Sequence, residues 1–240
     1  MVLVQEMSGN MSLGTRLEAL MILRTTAHVL SGARRDPSQD KISSLCEQEL
    51  VQCSTKLQRE LNLKGGNADS FMEPSKTRRW RRPRTSPVTT TNKFGSVSVQ
   101  ILSSLFALLS HTKNEASIWA GPVGEKFLSE FLKTLSIMLY WASTHTSPAL
   151  PVLAVDLFNL AWSFHDAECS EVRYAALMAM AICVSLVPLE FILGKISSHG
   201  LRSFLDNCSN HDENAECRRL ASLVVGSVSE VLDQNMIERL

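Results

Sequence analysis

The chain has 240 residues, of which 45% are hydrophobic, and its 24 basic and 24 acidic residues give a formal net charge of zero. This balance excludes a globally basic nucleic-acid-binding protein. The charge is nevertheless unevenly spread, because residues 1–95 carry 15 Lys/Arg against 9 Asp/Glu and residues 96–240 carry 9 against 15. Leu, Ser, Ala and Val are the most frequent residues, and Gly, Pro and aromatic residues are few, a composition that favours helix over sheet.

The sequence carries no strong signal for secretion or for insertion into a membrane. The six cysteines show no CxxC spacing, which fits a reducing compartment better than a disulfide framework. Glu6 interrupts the N-terminal region where the apolar core of a signal peptide would lie. The uncharged, largely apolar stretch 174–189 has 16 residues, fewer than the roughly 20 that a spanning helix needs. We therefore expect no membrane span.

The first third of the chain predicts two helices. Between Ser12 and Gly32, apolar residues recur at spacings of three and four, as they do on one face of a helix. Residues 40–61 repeat the pattern, and Gly65-Gly66 ends it. The next segment, 62–95, contains Pro74, Pro83, Pro87 and a basic run, which predict a surface loop or linker.

Helix patterns return over the rest of the chain, at 96–111, 123–143, 147–165, 169–187 and 213–234. Breaks are predicted near Gly121-Pro122, Ser147-Pro148, His165-Asp166, Pro188 and Asn210. In the last helix, Asp212 is the expected N-cap. The apolar face of that helix comprises Cys217, Leu220, Ala221, Val224, Val228, Val231 and Leu232.

No strand-like alternation occurs, so the sequence predicts an all-α fold. Successive helices joined by short turns are typical of an α-solenoid of degenerate HEAT-like helical hairpins, each of roughly 40 residues. The predicted organisation is a helical hairpin over 1–61, a basic, proline-containing loop over 62–95 and a C-terminal helical-repeat block over 96–240.

Three stretches together resemble one known family. They are "SKTRRW" at 75–80 with "NKF" at 92–94, "EVRYAALMAM" at 171–180 and "ENAECRRLASLVV" at 213–225. An arginine-containing helix like that at 11–31 precedes them in the family. In this order and spacing they resemble the C-terminal region of the telomere-length-regulation (telomere maintenance) proteins.

This resemblance implies a non-enzymatic scaffold without cofactors, located in the cytoplasm and the nucleus. Proteins of that family are long HEAT-repeat solenoids that join two helical-repeat sister subunits in a cochaperone. That assembly works with the heat-shock chaperone machinery on newly made phosphatidylinositol-kinase-related kinases, which links it to telomere length and DNA-damage signalling.

Three departures from the family pattern limit what the resemblance implies. Family members are several times longer, so the chain is expected to be a C-terminal fragment or a short form. The acidic, serine-rich docking segment of the family has no match here, and the stretch after Phe94 also differs from the family.

The basic run is the most specific local signal. A partner-contact loop is the favoured interpretation of 62–95, and a nuclear address or nucleic-acid binding through 76–84 remain alternatives. Phosphorylation within Arg84–Pro87 is a further hypothesis. The candidate contact residues are Lys76, Arg78, Arg79, Trp80, Arg81, Arg82, Arg84, Asn92 and Phe94.

Chemistry-bearing motifs are sparse. Four potential zinc donors, His199, Cys208, His211 and Cys217, lack the tight spacing of a zinc knuckle. His165, Asp166 and Cys169 could suggest a base and a nucleophile, but residues of these types are also common at helix ends. We expect no enzymatic activity and no metal. Arg173, Arg218 and Arg219 stand near helix starts, where they are expected to pair with acids of the preceding repeat unit.

Overall fold

A computed structural model describes residues 13–31, 44–46, 48–53, 55, 59, 100–104, 121–143 and 147–237. The predicted loop 62–95 lies outside these residues, together with all nine candidate contact residues. The interpretations of that loop therefore stay predictions.

The described residues form helices and contain no strand, which confirms the all-α prediction. Residues 44–46, 48–53 and 55 are helical and are called the 44–55 segment; residues 100–104 are helical as well. The longer helices are α1 (Leu13–Ser31), α2 (Gly121–Ala142), α3 (Leu150–Trp162), α4 (Ser170–Cys183), α5 (Leu189–His199), α6 (Leu201–His211) and α7 (Ala215–Ile237).

Helix α2 lies at the centre of the described fold. It is buried on every side from Phe127 to Ala142, because α1, α3 and α4 all pack against it. A helix with no solvent-facing stripe must satisfy its polar side chains internally. Thr134 and Ser136 do so by donating to the carbonyl oxygens of Glu130 and Leu132 at 2.7 and 2.6 Å.

Helices α2, α4 and α7 form a row in which neighbours pack together. Each helix of this row also packs against at least one further helix. Helix α1 packs against α2, α3 packs against α4, and α6 packs against α7. The stretch from Ala175 to Cys183 in α4 is fully buried between its neighbours, and four of its nine residues are alanines, which let helix axes approach closely. The buried residues lie within the uncharged stretch 174–189, which is too short to span a membrane.

Five predicted helices appear at or near their expected positions, namely α1, α2, α3, α4 and α7. The apolar face predicted for α7 is also confirmed, since Cys217, Leu220, Ala221 and Val224 have no exposed surface and Val228 has 8%. Of the predicted helix at 40–61, only the 44–55 segment and residue 59 are described. Of the predicted helix at 96–111, only residues 100–104 are described.

The sequence prediction missed α5 and α6. Pro188 was expected to end a helix, but it stands as the N-cap of α5, and Asn210 lies inside α6 rather than in a break. Gly200 separates the two helices with a positive φ of 67°, a backbone conformation that glycine adopts without steric cost. Leu201, Leu205 and Cys208 form the buried stripe of α6.

Within the part of the chain that the structure describes, no helix combines the length and the apolarity needed to cross a membrane.

Candidate functional site

Four charged side chains form a buried network between α1, α2 and the 44–55 segment. Arg24 of α1, whose side chain is 1% exposed, donates to the carboxylate of Glu130 of α2, which is 7% exposed. Lys133, one helical turn further along α2, lies 3.5 Å from Glu49 and 3.9 Å from Glu130. Two cations thus face two carboxylates, so the network is electrically balanced.

Arg24 stays positively charged in this network although it is buried. Burial disfavours the charged form of Arg24, but the adjacent Glu130 carboxylate, with smaller contributions from Cys53 and Glu49, outweighs burial and raises the pKa of Arg24. Within the described residues, Nε and Nη1 of Arg24 have no hydrogen-bond partner, and Glu130 accepts the hydrogen bond from its Nη2. The network could not be predicted from the sequence pattern. The helical periodicity of α1 identifies its apolar residues and gives no sign that Arg24 is buried.

A polar cavity of about 340 Å³ opens beside this network. It lies where α4 and α7 begin, and α2 and the 44–55 segment complete its wall. Every side chain that lines it is polar or charged: Gln48, Glu49, Gln52, Lys133, Ser170, Glu171, Tyr174, Asn214, Glu216 and Arg219.

Glu49 is the buried carboxylate of the cavity and is held in place by two neighbours. Its side chain is 6% exposed, and it interacts with the Lys133 ammonium and with the hydroxyl of Tyr174. Burial, followed by the negative charge of Glu49, raises the pKa of Tyr174, so that hydroxyl stays a hydrogen-bond donor. The Lys133 ammonium also lies 5.2 Å from the centroid of the Tyr174 ring.

A second ionic contact joins α4 to the turn before α7. Nε and Nη2 of Arg173 donate to Oδ2 and Oδ1 of Asp212, both at 2.9 Å, in the bidentate geometry that suits a guanidinium and a carboxylate. Burial alone would raise the pKa of Asp212, but hydrogen bonds from Arg173 and from the backbone of Asn214 lower it below its ordinary value. Asp212 is therefore ionised at neutral pH.

This contact corrects two sequence predictions. Asp212 is not the N-cap of α7, because Asn214 takes that position and accepts from the backbone N–H groups of Glu216 and Cys217. Arg173 pairs with an acid that follows it in the chain rather than with one that precedes it. Arg219 pairs within its own helix, with Glu216 at 2.8 Å.

Arg218 occupies the same local position in α7 as Arg173 does in α4. Nη1 of Arg173 donates to the carbonyl oxygens of Ala167 and Glu168, six and five residues earlier. Nη1 of Arg218 donates to those of Asp212 and Glu213, again six and five residues earlier. Through these hydrogen bonds, each arginine connects the first turn of its helix to the turn that precedes the helix.

The four potential zinc donors do not come together as a metal site. Within the described residues, no group of three or more His, Cys, Asp or Glu side chains is placed to hold a metal ion. Burial and the nearby Asp212 raise the pKa of Cys208 to about 12, and burial raises that of Cys217 to about 11. Both thiols are therefore protonated at neutral pH, and a protonated thiol is a poor metal ligand and a poor nucleophile.

His165 and Cys169 contribute to helix ends. Nδ1 of His165 lies 2.6 Å from the carbonyl oxygen of Trp162 in the last turn of α3, and the His165 ring stacks on the Trp162 ring with centroids 4.2 Å apart. Cys169 is the residue before α4, and its carbonyl oxygen accepts from the backbone of Val172 and Arg173.

No protein-family model, curated protein or solved structure matches the chain. The resemblance to the telomere-length-regulation proteins therefore remains a prediction from the motifs quoted above. The polar cavity and the charged network beside it form the candidate site.

Proposed function

We propose that the chain forms part of an α-solenoid of HEAT-like hairpins and acts as a non-enzymatic scaffold. On this proposal its helical surfaces bind other proteins. It would promote the maturation and stability of phosphatidylinositol-kinase-related kinases together with helical-repeat sister subunits and the heat-shock chaperone machinery.

The repeated arginine contact is the observation that carries the solenoid part of this proposal. Arg173 and Arg218 lie 45 residues apart (218 − 173), and each binds the carbonyl groups five and six residues before it. A period of this length suits a HEAT-type hairpin, which takes roughly 40–47 residues. Such a unit buries its apolar faces only by stacking on its neighbours.

The packing of the helices supports the same interpretation. Helices α2, α4 and α7 pack side by side in a row, and each of them also packs against at least one helix outside the row. Arg173 of one predicted unit binds Asp212 in the turn of the next, and so joins two units through a charged pair as well as through apolar packing. A stack of this kind offers extended surfaces to partners.

The kinase part of the proposal rests on the family resemblance. Its stretches 171–180 and 213–225 fall on α4 and α7, and they contain Arg173 and Arg218. The features found at the site also fit a scaffold better than an enzyme. The polar cavity is lined by charges that are largely paired, and two nearby thiols are protonated.

Affinity capture tests the proposed function. The tagged chain is expected to enrich phosphatidylinositol-kinase-related kinases or helical-repeat sister subunits from a nuclease-treated cell lysate, measured by quantitative mass spectrometry against an unrelated helical protein of similar size. The nuclease removes partners that are bridged by nucleic acid. Circular dichroism on the same preparation establishes that the bait is folded.

A second bait in which Arg78, Arg79, Arg81 and Arg82 are replaced by glutamine shows whether the basic run makes the contact. Loss of the kinases from this bait alone would support the partner-contact loop. A folded bait that captures neither kinases nor sister subunits would contradict the proposed function.

A further inference from the structure

Lys195 of α5 packs its side chain against aromatic rings. The residue is 8% exposed, and its Nζ lies 5.4 Å from the centroid of the Phe191 ring and 5.9 Å from that of the Trp162 ring. Both distances are close to the limit of about 6 Å at which a ring face attracts a cation. The rings therefore compensate the ammonium only weakly, and neither ring offers it a hydrogen-bond acceptor.

Other aromatic side chains hold these two rings in place. The Phe158 ring stands edge-on to the Phe191 ring, with an interplanar angle of 87° and centroids 5.4 Å apart. The Trp162 ring stacks on His165 and meets the Phe204 ring edge-on, with centroids 5.7 Å apart in the second pair. A cluster packed in this way resists rearrangement, so the surroundings of the Lys195 amine are fixed.

No acidic side chain among the described residues supports the Lys195 ammonium. Within this part of the chain, Lys195 forms neither a salt bridge nor a hydrogen bond. Lys133, by contrast, faces the carboxylates of Glu49 and Glu130. The titratable residues on the elements around Lys195, none of which forms an ion pair with it, are those of α7 together with Asp156, His165, Asp166, Glu190, His199, Arg202 and Asp206.

Burial without a counter-charge favours the neutral form of an amine. It lowers the pKa of Lys195, so near neutral pH a larger share of this side chain is the free amine than in a lysine surrounded by water. Each unit by which a lysine pKa falls raises that share about tenfold. The free amine, and not the ammonium, is the form that attacks an acyl group.

The end of the Lys195 side chain still reaches the surface. Its Nζ has no hydrogen-bond partner in the described part of the chain, yet it is not one of the fully enclosed polar atoms there. The neighbouring residues Leu193, Gly194 and Ser197 are exposed. A small reagent can therefore reach the amine from solvent.

We propose that Lys195 is a modification site at which the side-chain amine is acylated by small acyl thioesters. The amine nitrogen attacks the carbonyl carbon of the thioester, a C–N bond forms and the C–S bond breaks. The sulfur leaves as a thiol with the proton that the nitrogen loses, and no oxidant or reductant is required. The product is a neutral amide, so the reaction removes a charge that the fold compensates poorly. Acylation of Lys195 is independent of the proposed scaffold function.

The test measures acetylation of the full chain by S-acetyl-N-acetylcysteamine, a small uncharged thioester. Lysines left unreacted are then labelled with deuterated acetic anhydride in denaturant. Cleavage after arginine and glutamate gives peptides with one lysine each, 191–202 for Lys195 and 126–130 for Lys126, whose isotope ratios report acetylation. Near neutral pH, Lys195 is expected to react several-fold faster than Lys126, which is exposed at the start of α2. Equal or slower reaction of Lys195 would overturn the proposal.

A carboxylate placed one helical turn from Lys195 provides the matched variant. His199 is exposed and lies four residues further along α5. His199→Glu supplies the missing counter-charge and is expected to slow acetylation of Lys195 about twofold, the factor that corresponds to an i, i+4 ion pair on a helix. His199→Gln, which brings no charge, should leave the rate unchanged, and neither substitution should alter the rate at Lys126. Equal rates at Lys195 in the two variants, both folded by circular dichroism, would contradict the proposal.

The pH dependence separates the reactivity of the amine from its access to the reagent. The rate at Lys195 should rise with pH and level off at a lower pH than the rate of Nα-acetyl-lysine amide, whose side chain has a pKa of about 10.4. The reason is that a lowered pKa leaves the amine fully deprotonated sooner. A profile that coincides with that of the small amide, or that levels off at a higher pH, would show that burial does not activate Lys195 and would end the proposal.

Discussion

Replacing Arg24 with methionine should lower the free energy of unfolding by about 3–5 kcal/mol, as expected when one partner of a buried ion pair is removed. The substitution leaves the carboxylate of Glu130 buried and without the Arg24 guanidinium, while Lys133 lies 3.9 Å from it. Because Lys133 is shared with Glu49, it cannot fully compensate both carboxylates. Urea unfolding followed by circular dichroism measures the change.

Removing both charges should restore most of this stability. The double substitution Arg24→Met with Glu130→Leu is expected to unfold within about 1 kcal/mol of the unaltered chain, because both charges of the Arg24–Glu130 pair are removed together. Lys133 keeps its partner Glu49 in that variant. Arg219→Met, which breaks the exposed pair with Glu216, is the matched control and should cost less than about 1 kcal/mol. If the double variant were as unstable as the single one, packing rather than charge would account for the loss.

Replacing Asp212 with alanine should lower the free energy of unfolding by about 2–3 kcal/mol, the range for losing hydrogen bonds to a charged group. The variant loses both bonds from Arg173 and the bond from the backbone N–H of Asn214 at 2.8 Å. Asp206→Ala is the control, because Asp206 is exposed and its nearest cation, Arg202, lies 3.9 Å away. Equal destabilisation by the two substitutions would contradict the role given to Asp212.

The Asp212 contribution should also depend on pH in one direction. The pKa of Asp212 is lowered in the folded chain, so its stabilisation is fully present above the ordinary pKa of 3.8 and is lost as the pH falls through the folded value. The difference in unfolding free energy between the unaltered chain and Asp212→Ala should therefore stay constant near neutral pH and shrink only below about pH 3.8. A difference that shrinks between neutral pH and pH 5 would point to another titrating group.

Local sequence patterns predicted the helices that bury a regular apolar face. In α7 the face from Cys217 to Val228 repeats every three or four residues, and the structure buries it. In α6 the same spacing occurs in Leu201, Phe204, Leu205 and Cys208, among polar neighbours, and the helix has 11 residues. So few repeats do not separate a helix from a polar loop, which is why α6 was missed. Helix α5 was missed because Pro188 was expected to end a helix, whereas it precedes the first turn of one.

The candidate site was less predictable, because its contacts join residues far apart in the chain. Arg24 and Glu130 lie 106 residues apart, and no local pattern relates them. A charged residue within a helix normally faces solvent, so sequence reasoning alone placed neither of them in the core. Arg173 was identified as a contact between units because it stands at a helix start, but its partner Asp212 could be named only from the structure.

The proposed role in the maturation of phosphatidylinositol-kinase-related kinases is tested most directly by the lifetime of newly made kinase in cells depleted of this chain. Pulse labelling followed by immunoprecipitation should show that these kinases are lost faster after depletion, whereas unrelated kinases keep their lifetimes. Resupplying the unaltered chain should restore them. Unchanged lifetimes of all these kinases after complete depletion would contradict the account.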